Sequence, residues 1–139
     1  MKLFLDANIL VSVLNKEYPV FAHSSRILSL ADYRYNYSLY TSPLCLAIAF
    51  YFAEKKSGSK LAREKINLLA SRLNITDMGA KTVKMTTVNP KIHDFEDGLQ
   101  YYSAVESGCN KIITEDQNDF YFSEIEVLSC RNFLEKYIF

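Results

Sequence analysis

Short apolar segments with strand character alternate with longer segments of helical periodicity along almost the whole sequence. The predicted strands cover 2–5, 37–42, 74–78, 109–116 and 125–129. The predicted helices begin after Asp6 and cover 20–33, 43–56, 61–73, 80–88, the segment between the Asp94 cap and Gly108, and 130–139. Alternation of this kind predicts an α/β fold, with a mainly parallel sheet covered by helices on both faces and joined by right-handed crossovers.

Length and composition indicate the number of domains and the structural class of the protein. The chain has 139 residues and a mass of 16.0 kDa, which predicts one domain over 1–139. Hydrophobic residues make up 49% and charged residues 23%, as in ordinary globular proteins. The net charge of zero argues against a high-affinity, non-specific nucleic-acid binder, since such proteins often carry a basic excess.

Cysteine usage and hydropathy predict the compartment. Cys45, Cys109 and Cys130 are odd in number and widely spaced, so we expect buried thiols rather than disulfides or a zinc site. Asp6 and Asn8 interrupt the apolar start, which argues against a signal peptide. No apolar run reaches the roughly 18 residues of a membrane helix. The sequence therefore predicts a cytoplasmic protein without a membrane segment.

Acidic residues stand where two predicted strands end. Asp6 follows the first strand and Asp116 follows the segment "KIIT". Functional sites in parallel sheets lie beyond the carboxyl ends of the strands. Each acid also has a local explanation: Asp6 suits a helix N-cap worth about 1 kcal/mol, Asp97 follows the Asp94 cap by three residues as in a capping box, and Asp119 suits a turn.

The sheet topology brings the ends of these strands and the start of the Asp97 helix to one edge. Two carboxylates about 4 Å apart repel by roughly 4 kcal/mol at an effective dielectric constant of 20. A fold that gathers three of them must protonate one or bind a cation. Oxygen ligands without histidine or cysteine select hard ions, so the pattern predicts one or two Mg²⁺ or Mn²⁺ ions.

Three segments resemble the PIN domain family of nucleases, which are best known as the toxins of bacterial toxin–antitoxin pairs. They read "LFLDANILVSVL", "DFEDGLQYYSAVESGCNKIITEDQNDF" and "EIEVLSCRNFLEKY", and they follow one another in the order of the family. The resemblance implies a three-layer α/β/α sandwich and metal-dependent cleavage of RNA that leaves a 5′-phosphate and a 3′-hydroxyl.

The resemblance also implies roles for individual residues. Asp6, Asp97 and Asp116 match the catalytic metal-binding acids, with Asp119 as a further metal ligand. Asn8 and Thr114 match positions that orient ligands or the scissile phosphate. A small antitoxin that inserts a segment into the acidic groove or along the tyrosine-rich helices is the implied partner beside RNA, and a homodimer is a further expectation.

One departure from the family pattern concerns a glutamate on the helix after the second strand. The corresponding position is about Ile48, and Glu54 lies about 9 Å further along the helix and faces another direction. Glu96 or Asp119 would then compensate in a weaker metal site. The alternative function is a PIN-fold protein that binds RNA or a protein partner without cutting.

Other surface features carry weaker signals. Substrate phosphates could be held by the basic residues Lys60, Arg63, Lys65, Lys81, Lys84 and Lys91. Four tyrosines surround Arg34 in the sequence, and we assign no function to them: Tyr33, Tyr35, Tyr37 and Tyr40. A haloacid-dehalogenase-type phosphotransferase also begins with an aspartate after its first strand, but its second aspartate is Asn8 in this chain.

Overall fold

The computed structural model describes residues 1–33 and 36–139, so Arg34 and Tyr35 of the tyrosine-rich stretch lie outside the described residues. The strands are β1 (Lys2–Leu5), β2 (Ser38–Thr41), β3 (Asn74–Ile75), β4 (Lys111–Ile113) and β5 (Glu126–Leu128). The helices are α1 (Ala7–Leu14), α2 (Val20–Tyr33), α3 (Pro43–Ser57), α4 (Ser59–Ala70), α5 (Ala80–Val88), α6 (Phe95–Glu106) and α7 (Cys130–Tyr137). A short 3-10 helix spans Gln117–Phe120.

All five strands join one parallel sheet in the order β3-β2-β1-β4-β5. The chain starts at the centre with β1, moves outward through β2 to β3, and then returns past β1 to β4. Right-handed crossovers running in opposite directions place their helices on opposite faces of the sheet. The predicted α/β/α sandwich is therefore confirmed.

The central strands form the core because apolar side chains cover both of their faces. Leu3, Phe4 and Leu5 of β1 are buried, as are Ile112 and Ile113 of β4. Continuous apolar runs of this kind are typical of strands in a parallel sheet with helices on both sides. The sheet thus fixes the ends of β1 and β4 rigidly beside each other.

The helices pack in two groups. Helix α1 contacts α2 and α3, while α3 contacts α4 and α2 contacts α7. Helices α5 and α6, which belong to the return crossover, pack against each other. The segment "KSGSK", which looked like a linker, is instead a tight corner: α3 runs to Ser57, α4 begins at Ser59, and Gly58 adopts a φ of +83°.

The predicted elements exist, but several are shorter than the sequence pattern suggested. Strand β3 has two residues and β4 has three, because pairing stops where the polar strand ends begin. The three cysteines are buried and free, as predicted. Within the described ranges, no helix combines the length and the apolar character required to cross a bilayer.

Candidate active site

The site begins at the carboxyl ends of β1 and β4. Leu5 pairs with Ile113, and the backbone N–H of Asp6 donates to the carbonyl oxygen of Ile113 at 3.0 Å. The residues that follow the two strands, Asp6 and Thr114, are therefore neighbours although 108 positions separate them. This edge of the sheet is where the strand pattern placed the acids.

Thr114 joins three polar residues through one buried hydroxyl. Its Oγ1 donates to Oδ2 of Asp6 at 2.9 Å and accepts from Nδ2 of Asn8 at 3.0 Å. It also accepts from the backbone N–H of Asp116 at 3.1 Å. Asp6 completes its own bonding by accepting from the N–H of Ala7 at 2.8 Å, so it both caps α1 and faces the site.

Asn8 fixes the loop that carries Asp116. Its Nδ2 donates to Oδ2 of Asp116 at 3.2 Å, and its Oδ1 accepts from the N–H of Glu115 at 3.2 Å. The side chain of Glu115 has a different partner: its Oε2 accepts a hydrogen bond from the N–H of Cys130 at the start of α7. Asn8 thus orients the Asp116 carboxylate, while Thr114 holds the backbone of the same residue.

Asp97 comes from the opposite crossover, in the first turn of α6. The N-cap of that helix is Asp94, whose Oδ1 accepts from the N–H of Asp97 at 3.0 Å. Because Asp94 performs the capping, the carboxylate of Asp97 is not needed for it. Among the described residues, that carboxylate accepts no hydrogen bond and remains available for another ligand.

A single cleft of about 390 Å³ collects these acids. Its lining consists of Asp6, Ala7, Asn8, Val11, Glu17, Ile48, Phe52, Glu96, Asp97, Asp116 and Asp119. Thr114 lies beneath this lining and is fully buried. Every acid that the sequence singled out for the site therefore faces the same space. No lysine or arginine belongs to the lining found within the described residues.

Burial and repulsion raise the pKa of three of these acids. Burial first, and then repulsion from Asp94, Asp119, Asp6 and Glu96, together raise the pKa of Asp97 to about 7. Burial also raises the pKa of Asp6, although the hydrogen bonds from Thr114 and Ala7 partly oppose the change. The pKa of Glu96 rises for the same first reason, with repulsion from Asp94 and Asp6. The cleft is thus a place where negative charge lacks compensation.

The donor set fits a hard divalent cation. Carboxylate oxygens converge from three elements, and an excess of negative charge faces one space, as magnesium and manganese sites require. Within residues 1–33 and 36–139, however, no three acidic, histidine or cysteine side chains come close enough to form a ready-made cluster. A cation with its own water ligands would bridge such a spacing, because Mg²⁺ in proteins usually keeps several waters.

The position of the absent family glutamate also faces the cleft. Ile48 contributes an apolar side chain there, while Glu54 does not belong to the lining. Glu96 and Asp119, the two acids expected to compensate, both line the cleft. The sequence pattern missed Glu17, which reaches the same space from the loop after α1.

Two buried contacts near the acids were also not predicted from the sequence. The Cys45 thiol donates to Oδ1 of Asp6 at 3.8 Å, and burial raises the pKa of this thiol to about 12, so it stays protonated. Ser42 caps α3 and hydrogen-bonds to Gln100, which lies one turn beyond Asp97 on α6. Neither contact has a periodic signature that would reveal it in a sequence.

Comparisons with known proteins agree with this geometry. The family described as PIN domain matches residues 2–118. The chain belongs to the PIN domain family. The match includes both strand ends that carry Asp6 and Asp116, as well as the α6 turn that carries Asp97.

One curated relative of this PIN domain protein is Ribonuclease VapC1 of Aquifex aeolicus (strain VF5). It is 32% identical over 145 residues, and the alignment covers 98% of the present chain and 95% of the relative. The resemblance inferred from the three sequence segments is thereby confirmed.

Two solved structures share the fold. One is described as VapBC2 from Rickettsia felis bound to a DNA fragment from their promoter; its TM-score is 0.69 at 22% identity, over 93% of this chain and 98% of that chain. The other is VapBC-1 from nontypeable Haemophilus influenzae, with a TM-score of 0.67 at 17% identity, over 94% of this chain and 99% of that chain. At such identities the similarity concerns the fold alone.

Proposed function

We propose that this PIN domain protein is a ribonuclease that depends on Mg²⁺ or Mn²⁺ and acts as the toxin of a toxin–antitoxin pair. The observation that carries the proposal is the acidic cleft, in which Asp6, Asp97 and Asp116 from three separate elements face one space. The relative named as a ribonuclease, which aligns with nearly the whole chain, supports the same activity.

The acids have distinct structural roles in this proposal. Asp6 is the fixed ligand, since the N–H of Ala7 and the hydroxyl of Thr114 hold its two oxygens. Asp116 is oriented by Asn8, which leaves its second oxygen to face the cleft. Asp97 faces them from α6. Asp119 and Glu96 add charge at the border of the cleft and are the accessory ligands.

A bound divalent cation would activate a water for attack on the phosphodiester and would offset the charge that develops on the phosphate. The residues of the chain supply the rest. They hold the carboxylates at fixed positions, and the lining formed by the described residues contains no cationic side chain. Thr114 and Asn8 keep both strand-end acids in place while substrate enters, which is the pre-organisation that catalysis requires.

The neighbours in the fold comparison support a partner protein. Both are described by the paired name VapBC, and we infer from this that the chain also has a protein partner. We propose an antitoxin that blocks the acidic cleft. Assembly as a homodimer and a cytoplasmic location stay predictions from the sequence.

The decisive experiment measures hydrolysis of single-stranded RNA with Mg²⁺ or Mn²⁺. Wild type is compared with Asp6→Asn and Asp116→Asn, and Asp77→Asn serves as the matched control because Asp77 is exposed and lies outside the cleft lining. The two site variants should lose at least about 100-fold in rate, while the control should not change. Equal rates in all four proteins would contradict the proposal.

The second candidate is a protein that binds RNA or a partner without cutting. The apolar Ile48 in the cleft favours it, because the site has one carboxylate fewer than its relatives are expected to have. Titration calorimetry with Mn²⁺ separates the two functions. Heat of binding that disappears in Asp6→Asn supports the nuclease, whereas no aspartate-dependent binding at millimolar Mn²⁺ supports the binding protein.

A further inference from the structure

The lining of the cleft contains two chemically different groups of side chains. One group is the carboxylates, and the other is the apolar residues Val11, Ile48 and Phe52. Ile48 and Phe52 are four residues apart on α3, so they lie on the same face of that helix. The side chain of Phe52 is 44% exposed, and it shows an aromatic surface to the space that the acids share. We call Ile48 and Phe52 the apolar wall.

The backbone that carries Phe52 is held in place. Nδ2 of Asn15, which caps the end of α1, donates to the carbonyl oxygen of Phe52 at 3.4 Å. The ammonium group of Lys56 donates to the carbonyl oxygen of the same Asn15. These bonds tie the second half of α3 to α1, which also carries part of the cleft. The ring of Phe52 is therefore presented from a fixed support.

Tyr51, the aromatic neighbour of Phe52, lies outside the cleft lining and has a cation over its own ring. The rings of Tyr51 and Phe52 meet edge to face with their centroids 5.3 Å apart. The ammonium group of Lys55 lies 5.1 Å from the centroid of the Tyr51 ring. Aromatic surfaces with adjacent cations are the usual components of sites for single-stranded nucleic acid.

We propose that the apolar wall is a subsite in which Phe52 stacks on one nucleobase of the RNA while the neighbouring phosphate faces the carboxylates, which would hold the divalent cation that offsets its charge. The inference rests on the proposed ribonuclease function and assigns a part of the substrate to each group of lining residues. A base and its phosphate are joined through one sugar, so a phosphate near Asp6 and Asp116 brings a base into the same cleft. Stacking on an aromatic ring tolerates any base, so the subsite contributes affinity rather than sequence preference.

The size of the cleft favours a base over a protein partner as the occupant. A volume of about 390 Å³ lies within the range of small-ligand sites. A stable protein interface needs roughly 800 Å² on each partner, which far exceeds one ring and one isoleucine. A second copy of the chain or a partner peptide on this wall is therefore an alternative for the experiment to exclude.

The experiment uses a short single-stranded RNA with 2-aminopurine placed in turn at each position around the cleavage site. Wild type is compared with Phe52→Leu, with Phe52→Tyr, and with Phe139→Leu as an exposed phenylalanine that does not line the cleft. In wild type, one position should show quenched fluorescence on binding. Phe52→Leu should lose the quenching and raise KM about tenfold with kcat nearly unchanged, while Phe52→Tyr and Phe139→Leu should behave as wild type.

An RNA with an abasic nucleotide provides the complementary test. At the quenched position it should raise KM about tenfold in wild type and cause no further loss in Phe52→Leu, because the same stacking contact is already absent. Circular dichroism and urea unfolding identify a variant that fails to fold; in that case Phe52→Tyr and the abasic RNA still decide the question.

The outcomes separate this subsite from the proposed function. Cleavage by wild type with equal KM and equal quenching in Phe52→Leu overturns the subsite and leaves the ribonuclease standing. Quenching that depends on Phe52 without any cleavage supports the subsite and contradicts the nuclease. A change from dimer to monomer in Phe52→Leu, seen by analytical ultracentrifugation, assigns the wall to a subunit interface and overturns the subsite.

Discussion

Thr114 and Asp6 share a hydrogen bond of 2.9 Å in which the buried hydroxyl donates to the carboxylate. A hydroxyl has one proton to donate and two lone pairs that accept, and Thr114 uses all three. Its acceptor sites are filled by the side chain of Asn8 and the backbone of Asp116. One hydroxyl therefore sets the relative positions of both strand-end acids.

Replacing that hydroxyl should damage the site more than the fold. Thr114→Val keeps the volume and the branched shape but removes one partner each from Asp6, from Asn8 and from the backbone N–H of Asp116. We expect the free energy of unfolding to fall by about 1–3 kcal/mol. RNA cleavage should drop at least about tenfold because the carboxylates lose their common support. Thr114→Ser restores the hydroxyl and should retain most of the activity; equal loss in both variants would contradict this role.

Asp97 should destabilise the protein in the absence of divalent cations. Its pKa is about 7 in the folded state and ordinarily 3.8, so between these values the folded state binds more protons than the unfolded state. Stability therefore falls as pH rises from about 4 to about 7. With chelator at pH 8, Asp97→Asn should be more stable than wild type by about 1 kcal/mol, a value reduced for solvent screening.

The comparison for Asp97→Asn has two internal controls. At pH 4 its advantage over wild type should disappear, since Asp97 is then protonated in the folded state. Millimolar Mg²⁺ at pH 8 should stabilise wild type more than the variant, because the cation offsets the repulsion. Urea unfolding measures each difference. A constant advantage at both pH values would contradict the origin in charge.

Returning a carboxylate to the apolar wall should strengthen metal binding. Ile48→Glu adds an acid to the cleft, and we expect the affinity for Mn²⁺ to rise about tenfold in titration calorimetry. The metal-free protein should become less stable, because Ile48 packs against the core. Ile48→Gln introduces a side chain with the shape of glutamate but without its charge. It should lose stability without gaining affinity for Mn²⁺. An equal affinity in both variants would contradict the electrostatic explanation.

Gly98 allows α6 to approach the segment before it. A Cβ atom at this position would lie 2.5 Å from Cγ2 of Thr86 and 2.8 Å from Cγ2 of Ile92. Gly98→Ala should therefore cost about 1–3 kcal/mol in urea unfolding. A Cβ atom at Gly79, the N-cap of α5, would have no described atom within 4 Å, so Gly79→Ala should cost no more than the roughly 0.5–1 kcal/mol of a less favourable N-cap residue. Similar values for the two variants would exclude crowding as the cause.

Glu126 should stabilise the sheet edge in a manner that depends on pH. It receives hydrogen bonds from Lys136, from Tyr137 at 2.6 Å and an ion pair from Lys111 at 3.0 Å. These bonds, with Lys136 first, lower its pKa from 4.5 to about 2. Its contribution is therefore complete above about pH 4.5 and lost as pH falls toward 2.

Glu126→Gln should lose about 1 kcal/mol of unfolding free energy at pH 7 and almost nothing near pH 2. The matched control is Glu135→Gln, which removes an exposed pair with Arg131 on α7 and should cost about 0.3 kcal/mol. Thermal unfolding across this pH range checks both values. A loss in Glu126→Gln that does not depend on pH would contradict the assignment.

The alternation of apolar runs and helices was enough to predict the layers, the sheet edge and the position of Asp6 and Asp116. The information that predicted the site is local in the sequence. A buried apolar strand has a visible end, and functional sites in parallel sheets lie beyond the carboxyl ends of the strands. Glu17 was missed because it lies in a loop after α1, where neither helical nor strand periodicity applies. The corner at Gly58 was misread because glycine and serine signal both linkers and helix caps.

Contacts between distant segments could not be predicted from periodicity. The approach of Cys45 to Asp6 and of Ser42 to Gln100 depends on how α3 and α6 dock at the sheet end. The apolar wall has the same origin, since Ile48 and Phe52 follow the ordinary spacing of a core-facing helix. The sequence spacing does not show that part of this helix face is exposed; in the structure, that part lines the cleft.

The 108 positions between Asp6 and Thr114 also have a consequence during translation. At 5–20 residues per second, a ribosome needs between about 5 and 20 s to pass from one to the other. Throughout that interval the nascent chain carries Asp6 without the hydroxyl that orients it. Under the proposed ribonuclease function, a chain whose acids are joined this late cannot cut nearby messages until its own synthesis is almost finished.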